Sequence, residues 1–340
     1  MIELRPEMRA IFSIRIAGTG HAVPTKVVLS EALDRRLGFP AGHLERLSGV
    51  RSRHVCEAED QIGLAVAAAR LAMERAAVTS GDIDLVLGAC GIPYQTLPST
   101  APLVMRELSI PDGAAAAFDV NATCLSFLSA LELAAGRIAA GQSRTALVFS
   151  SEIASRALPW NDQPDVAALF GDGAAAVVLT AAPEGAGAIR ASLMRTYPSA
   201  YGACEIGAGG TRFDFVREAA EFAAHSVFRM DGKELFRVTH RHFPRFVDDL
   251  LAAAGWTPAD VDLVVPHQAS PLALEHMIEQ TGMPGARVVN IAARFGNQIA
   301  ASIPTALDIA WTEGRITRGT RLLLLGTSAG VSFGGMAIEV

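Results

Sequence analysis

Thr79–Val86 reads TSGDIDLV, and Thr257–Val264, 178 residues later, reads TPADVDLV. Gly136-Arg137-Ile138 leads through Gly141 into the apolar run ALVFS, and Gly314-Arg315-Ile316 leads through Gly319 into LLLLG, again at an offset of 178 (314 − 136). Two matches in one order at one spacing mark an internal duplication. The seam falls near residues 181–190, AAPEGAGAIR, which is small and turn-rich. Two halves are expected, 1–185 and 186–340.

Each half alternates helix and strand. Residues 61–78 are Ala-rich with helical spacing, 84–89 form a short apolar strand, 125–140 are helical and 145–150 form a second buried strand. The second copy repeats this at 240–255, 262–266, 302–316 and 321–326. Short apolar strands alternating with helices predict mostly parallel sheets covered by helices. Two such units predict an α/β fold, a duplicated five-layer αβαβα sandwich with pseudo-twofold symmetry. The length of 340 residues agrees, because a single core usually stops growing at roughly 250–300.

Composition narrows the function. Half the residues are hydrophobic and 19% are charged, as in a well-buried enzyme. The net charge of −6 gives no basic surface for nucleic acid. The N-terminal stretch MIELRPEMRAIFSIRIAGTG lacks the uninterrupted apolar region of a signal peptide, and no run approaches the ~18 apolar residues of a membrane span. Cys56, Cys90, Cys124 and Cys204 are far apart, with no CxxC and no Cys/His pairing. Neither a disulfide framework nor a metal site is implied, and the expected location is the cytoplasm.

The duplication says where chemistry would gather. Cys124 sits in DVNATCLSFLSAL, between an apolar strand and a helix. Its counterpart at offset 178 is residue 302, close to Asn297 in RFGNQIAAS, and the strand VDLVVP ends on His267. Cys124, His267 and Asn297 are therefore expected to converge on one cleft between the halves. A cysteine at a helix N-terminus faces the positive end of the helix dipole and free N–H groups, which lower its pKa and can hold an oxyanion. The alternative for a cysteine is a small buried hydrophobe, which is the reading for Cys56, Cys90 and Cys204. Histidines default to structural roles, and only His267 has the strand-end position. Asn297 follows Gly296 and can also serve as an N-cap. Gly171-Asp172-Gly173-Ala174-Ala175-Ala176 is a loose G-x-G-x-x-A, but a strand pattern follows it. That run and Gly18-Thr19-Gly20 read as tight turns, which leaves a nucleotide-dependent oxidoreductase as the weaker alternative.

With these residues in place, the sequence resembles β-ketoacyl-acyl-carrier-protein synthase III and its thiolase-fold relatives along nearly the whole chain. The similarity is carried by IAGTGHAVP, SGVRSRH at 48–54, FGDGAAAVVL at 170–179, VVPHQA at 264–269, GNQIAASIPTAL at 296–307 and the C-terminal GTSAGVSFGGMAIEV. It implies a Cys-His-Asn mechanism in which Cys124 takes an acyl group from a thioester. The N–H groups of Cys124 and Ala329 would form the oxyanion hole. His267 and Asn297 would bind the carbonyl of a malonyl thioester during decarboxylation and Claisen condensation. It further implies substrates carried on coenzyme A or acyl carrier protein, no metal or redox cofactor, a pocket involving Leu97 and Phe170, carrier-protein docking at Arg237, and a homodimer with region 85–110 at its interface.

Some positions depart from the family pattern. His43, Leu47 and Pro164 stand where initiating enzymes place a tryptophan and arginines around the coenzyme A nucleotide. Leu272 replaces a docking arginine. Leu97 replaces an aromatic residue that closes the acyl pocket, so an acyl primer larger than acetyl is expected. A close alternative passes the acyl group to an amine or hydroxyl.

Overall fold

The computed structural model describes residues 12–183 and 187–340. The expected boundary at 185/186 and the first eleven residues lie outside the described residues. One sheet contains β1 (Ile14–Ala22), β2 (Leu85–Gly88), β3 (Ala116–Asp119), β4 (Thr145–Glu152) and β5 (Gly173–Ala181), in the order β1-β5-β4-β2-β3. The other contains β6 (Ala188–Thr196), β7 (Leu263–Pro266), β8 (Arg321–Ser328) and β9 (Ser332–Glu339), in the order β7-β8-β9-β6. Both sheets are mixed and not mostly parallel as expected. β3-β2-β4 and β7-β8 are parallel, and the remaining ladders are antiparallel. The reason is partly local: residues 329–331 are too short a link between β8 and β9 for anything but a hairpin.

Strand alternation produces the layers. On β2 and β4, Leu85, Leu87, Ala146 and Val148 face one core, while Val86, Leu147 and Phe149 face another. The first core also takes Leu263, Val265, Leu322 and Leu324 from the second sheet. Between the sheets lie helices α2 (Ser126–Ala139) and α5 (Ser302–Thr312), hydrophobic nearly all round because sheets cover both sides. Outside the first sheet, α1 (Gln61–Ala76) buries Ala65, Ala68, Ala69 and Ala72. Outside the second, α3 (Gly232–Ala254) packs Phe246, Val247 and Leu250 against Leu323, Leu325 and Phe333, with α4 (Pro271–Thr281) beside it. The result is the expected five-layer αβαβα sandwich. Helix α3 starts eight residues earlier than the sequence pattern suggested, because Asp231 caps it by accepting from the N–H groups of Lys233 and Glu234 at 3.1 and 3.0 Å.

Gly18 and Gly20 are not a turn. They lie within β1, where an added Cβ would meet Ala72 O at 2.2 Å and Ala68 O at 2.5 Å, so they let α1 approach. Between them, the Thr19 hydroxyl donates to Asp308 at 2.6 Å, and His21 and Arg75 reach the same carboxylate. Asp308 is buried on α5, so this network ties the first sheet and α1 to the central helix of the second half.

The repeat is visible but not uniform. Thr79/Asp82 and Thr257/Asp260 form matching capping boxes at the offset of 178. At β4 and β8, and at the starts of α2 and α5, the offset is 176 (321 − 145; 302 − 126). Cys124 therefore pairs with Ala300 and not with residue 302.

Candidate active site

Between β3 and α2 the chain makes a sharp turn. The Asn121 Oδ1 accepts from Thr123 N at 2.9 Å, and the Ser126 hydroxyl accepts from Ala122 N at 2.9 Å while donating to Thr123 O at 2.7 Å. Thr123 is left-handed at φ 54°, and Cys124 follows on a short 3-10 turn that opens α2. The second half builds the same turn before α5. Asn297 Oδ1 accepts from Ile299 N at 2.8 Å, Ser302 Oγ accepts from Gln298 N at 3.0 Å, and Ile299 has φ 49°. Asn121 and Ser126 are site-building residues that the sequence reading missed. The signal was present as Asn-x-[Thr/Ile] at offset 176, hidden by alignment at 178.

His267 leaves the end of β7 with its N–H bonded to Leu325 O at 2.7 Å. The next residue explains the VPHQA motif. The Gln268 side chain is fully buried, donates to Pro266 O and Val289 O at 2.8 and 3.0 Å, and accepts from the N–H groups of Ile291 and Ala292 at 2.8 and 3.1 Å. All four of its capacities are used, which fixes the chain on which His267 sits. The imidazole is buried and its Nδ1 has no protein partner. Burial holds its pKa down to about 4, so the ring is neutral near pH 7.

Asn297 is locked from both sides. Its N–H donates to Leu169 O at 2.8 Å and its carbonyl accepts from Gly171 N at 3.1 Å. With Oδ1 held by Ile299, the Nδ2 donor is the capacity left for a ligand. The glycine-rich run serves this contact. A Cβ on Gly171 would lie 2.2 Å from Phe295 O, and one on Gly173 would lie 2.1 Å from Gln298 Nε2. Gly173 then opens β5, so the run is a close-approach loop and not a dinucleotide cradle.

Cys124, His267, Asn297, Phe170 and Ala329 all border one cavity of about 820 Å³. Its wall near the cysteine is an apolar cluster that includes Ile92, Leu158, Leu169, Phe170, Phe228 and Met230. It opens where Phe236 on α3 and Leu272 on α4 are 54% and 50% exposed. The N–H groups of Cys124 and Ala329 hydrogen-bond the Cys124 sulfur. The expectation of a lowered thiol pKa is corrected: burial, with Cys204 and Glu152 nearby, pushes it up to about 12 against those two bonds. Cys204, expected to be a small buried hydrophobe, is half-buried and borders the cavity.

Other expected positions lie elsewhere. Leu97 is 83% exposed on its own chain and does not border this cavity. Arg237 follows Phe236 on the exposed face of α3 and pairs with Glu234. The His43 ring packs on Phe39 with centroids 4.6 Å apart, Leu47 is exposed, and Pro164 opens a short helix; none of the three borders the cavity. Among the described residues no cluster of three or more His, Cys, Asp or Glu could hold a metal, and no helix is long and apolar enough to cross a membrane.

A duplicated sandwich with a cysteine at the start of one central helix, and histidine and asparagine facing it from the other half, is the architecture of a thiolase-fold condensing enzyme. The family description 3-oxoacyl-[acyl-carrier-protein] synthase III matches residues 118–198, and its C-terminal counterpart matches 251–340. The β-ketoacyl-[acyl-carrier-protein] synthase III of Rhodospirillum centenum is 36% identical over 330 residues, 95% of this chain and 98% of that protein. That of Neisseria meningitidis is 34% identical over 331 residues, 96% and 98% of the two chains. The crystal structure of 3-oxoacyl-[acyl-carrier-protein] synthase III from Aquifex aeolicus superposes with a TM-score of 0.86 at 30% identity, covering 96% of this chain and 100% of that one. A priming β-ketosynthase of a polyketide biosynthetic pathway superposes at 0.88 with 27% identity, covering 96% of each. The chain belongs to the β-ketoacyl-[acyl-carrier-protein] synthase III family. It is accordingly a transferase of the condensing, acyl-transferring kind, in lipid metabolism.

Proposed function

We propose that this enzyme loads an acyl group larger than acetyl onto Cys124 and condenses it with a malonyl thioester to give a β-ketoacyl product. The observation that carries this is the single cavity bordered by Cys124, His267, Asn297 and Ala329, with an apolar wall beside the sulfur. In the first half-reaction the Cys124 sulfur attacks the thioester carbonyl. The oxyanion lies on the N–H groups of Cys124 and Ala329, and the thiol proton leaves with the departing thiol. In the second, the malonyl carboxylate departs as carbon dioxide and the electron pair moves to the thioester oxygen. Neutral His267 and the Asn297 Nδ2 donate hydrogen bonds to that enolate. Its carbon then attacks the acyl-cysteine and the cysteine sulfur is released. These steps call on no metal or redox cofactor.

The primer and its carrier follow from the departures. With an imidazole in place of an indole at position 43 and no guanidinium groups at 47 and 164, the nucleotide of coenzyme A has a smaller stacking face and fewer phosphate contacts, which favours carrier-protein thioesters. The exposed Arg237 beside the cavity mouth suits an acidic carrier. In a homodimer, the exposed Leu97 would enter the partner's cavity and set its depth. The test is loading from acetyl to decanoyl thioesters, each as coenzyme A and carrier-protein forms, followed by release of carbon dioxide from a malonyl thioester. A loading maximum at acetyl-coenzyme A overturns the primer assignment, and loading without carbon dioxide release overturns the condensation.

A further inference from the structure

Glu152 is a buried acid for which the chemistry above has no use. It ends β4 with no exposed surface. Its carboxylate accepts from the N–H of Gly91 and from Ile92 N at 3.3 Å, and the N–H of Ala300 lies close enough to favour the charged form. These donors lie on opposite sides of the active site. Gly91 belongs to a turn whose carbonyl accepts from Asn121 Nδ2 at 3.1 Å, and Asn121 in turn holds Thr123, the neighbour of Cys124. Ala300 follows Ile299, whose N–H holds Asn297. A path of hydrogen bonds and peptide links therefore runs from Cys124 through Thr123, Asn121 and Gly91 to Glu152, and Gly91 packs on Ile299, whose N–H holds Asn297. Gly91 is packed tightly into it, since a Cβ there would lie 2.7 Å from Ile299 Cγ2 and 3.3 Å from a Glu152 carboxyl oxygen.

The duplication explains the geometry. At the local offset of 176, Ala300 corresponds to Cys124 and Glu152 to Ser328 (328 − 152). In the working half, Ser328 donates sideways to Ala122 O at 2.9 Å, and the N–H groups of Cys124 and Ala329 face the Cys124 sulfur and not a carboxylate of the chain. In the other half, a carboxylate of the chain itself faces the N–H of Ala300. Of the two N–H groups that correspond to the oxyanion hole, those of Ala300 and Ile153 (329 − 176), this resident anion lies at that of Ala300.

We propose that Glu152 is a positioning residue whose carboxylate, by holding the Gly91 turn against Ile299, sets the spacing of Asn297 against Cys124 for condensation. The ionisable groups that face it are Cys90 and Cys124, both raised by burial first and by Glu152 further down the order, and among the described residues no cation pairs with it. Burial also raises its own pKa to about 8, so the anion that the three N–H groups favour is lost as pH falls through that value.

The inference rests on the proposed condensation, so wild-type loading and decarboxylation are measured first, and failure there rejects that reading by itself. Glu152→Gln, which keeps the shape but turns donors toward donors, should load Cys124 within about threefold of wild type. It should lose condensation kcat by on the order of 100-fold, the scale of a 1 Å misplacement. The wild-type fall in condensation rate below about pH 8 should be absent in the variant. In an Asn297→Ala background the same substitution should cost under about threefold, because its effect passes through Asn297. Glu152→Asp keeps the charge and should recover part of the rate; if the Gln variant does not fold, the Asp variant carries the test by loading normally and condensing slowly. Condensation at the wild-type rate in Glu152→Gln, or a full additional loss in the Asn297→Ala background, overturns the proposal. Equal loss of loading and condensation, or failure of both variants to fold, also overturns it by making Glu152 a residue of general stability.

Discussion

Ile299 repeats the backbone strain of Thr123. Both are non-glycine, β-branched residues in the left-handed region, at φ 49° and 54°, and each precedes one of the symmetry-matched residues Ala300 and Cys124. Such conformations cost on the order of 1–3 kcal/mol each and persist where the surroundings over-determine them. At Thr123 the strain presents Cys124, the nucleophile of the proposed reaction. At Ile299 there is none to present; its N–H grips Asn297 Oδ1 as that of Thr123 grips Asn121, and here it is the asparagine that borders the cavity. One duplicated turn serves two different ends.

The nucleophile can be assigned by mass. An acyl thioester should add one acyl group to the wild type and to Cys204→Ala, and none to Cys124→Ala. Because burial pushes the Cys124 thiol up to about 12, the thiolate fraction and the loading rate should rise about tenfold per pH unit between pH 7 and 9. An adduct that survives in Cys124→Ala, or a flat pH profile, contradicts this.

The two half-reactions separate at Asn297. Replacing it by Ala removes one donor to the enolate, a loss on the order of 10²–10³ in decarboxylation, while loading persists. Carbon dioxide release from a malonyl thioester reads the first, and intact mass reads the second. Lost loading with undiminished decarboxylation would reverse the roles.

His267 should weaken the fold in acid. Burial lowers its pKa from 6.5 to about 4, so below pH 6.5 the unfolded chain takes a proton that the folded chain refuses. Stability is complete above pH 6.5 and falls by on the order of 3 kcal/mol as pH drops to about 4, at 1.36 kcal/mol per pKa unit. Denaturant titrations at pH 7 and pH 4.5 should show a smaller acid loss in His267→Gln than in wild type. Equal losses would mean that the ring is free to protonate in place.

In the proposed homodimer, primer length should depend on Leu97. Each additional buried methylene contributes about 0.8 kcal/mol, so a pocket deeper by a few carbons shifts preference by orders of magnitude. Leu97→Phe should move the loading optimum toward acetyl. An unchanged optimum would remove Leu97 from the pocket, in line with its exposure on the single chain.

The layered fold was legible in the chain because burial on both faces imposes unbroken apolar strands, as in LVLG and LVVP, and because the duplication printed that pattern twice. His267 and Asn297 were legible for the same reason: each stands where a strand or a helix ends. The Gly18-Thr19-Gly20 segment was misread as a turn because glycine's local preference says nothing about a helix packing on the other side of it. Asn121 was hidden because its counterpart lies at an offset of 176 and not 178. Glu152 was invisible because its partner, the N–H of Gly91, is brought near by folding across 61 residues, and no periodicity encodes a long-range hydrogen bond. The direction of the Cys124 pKa was also decided only in three dimensions. The sequence predicts the helix start that favours the thiolate, but the depth of burial that outweighs it depends on how the two sheets close over the site.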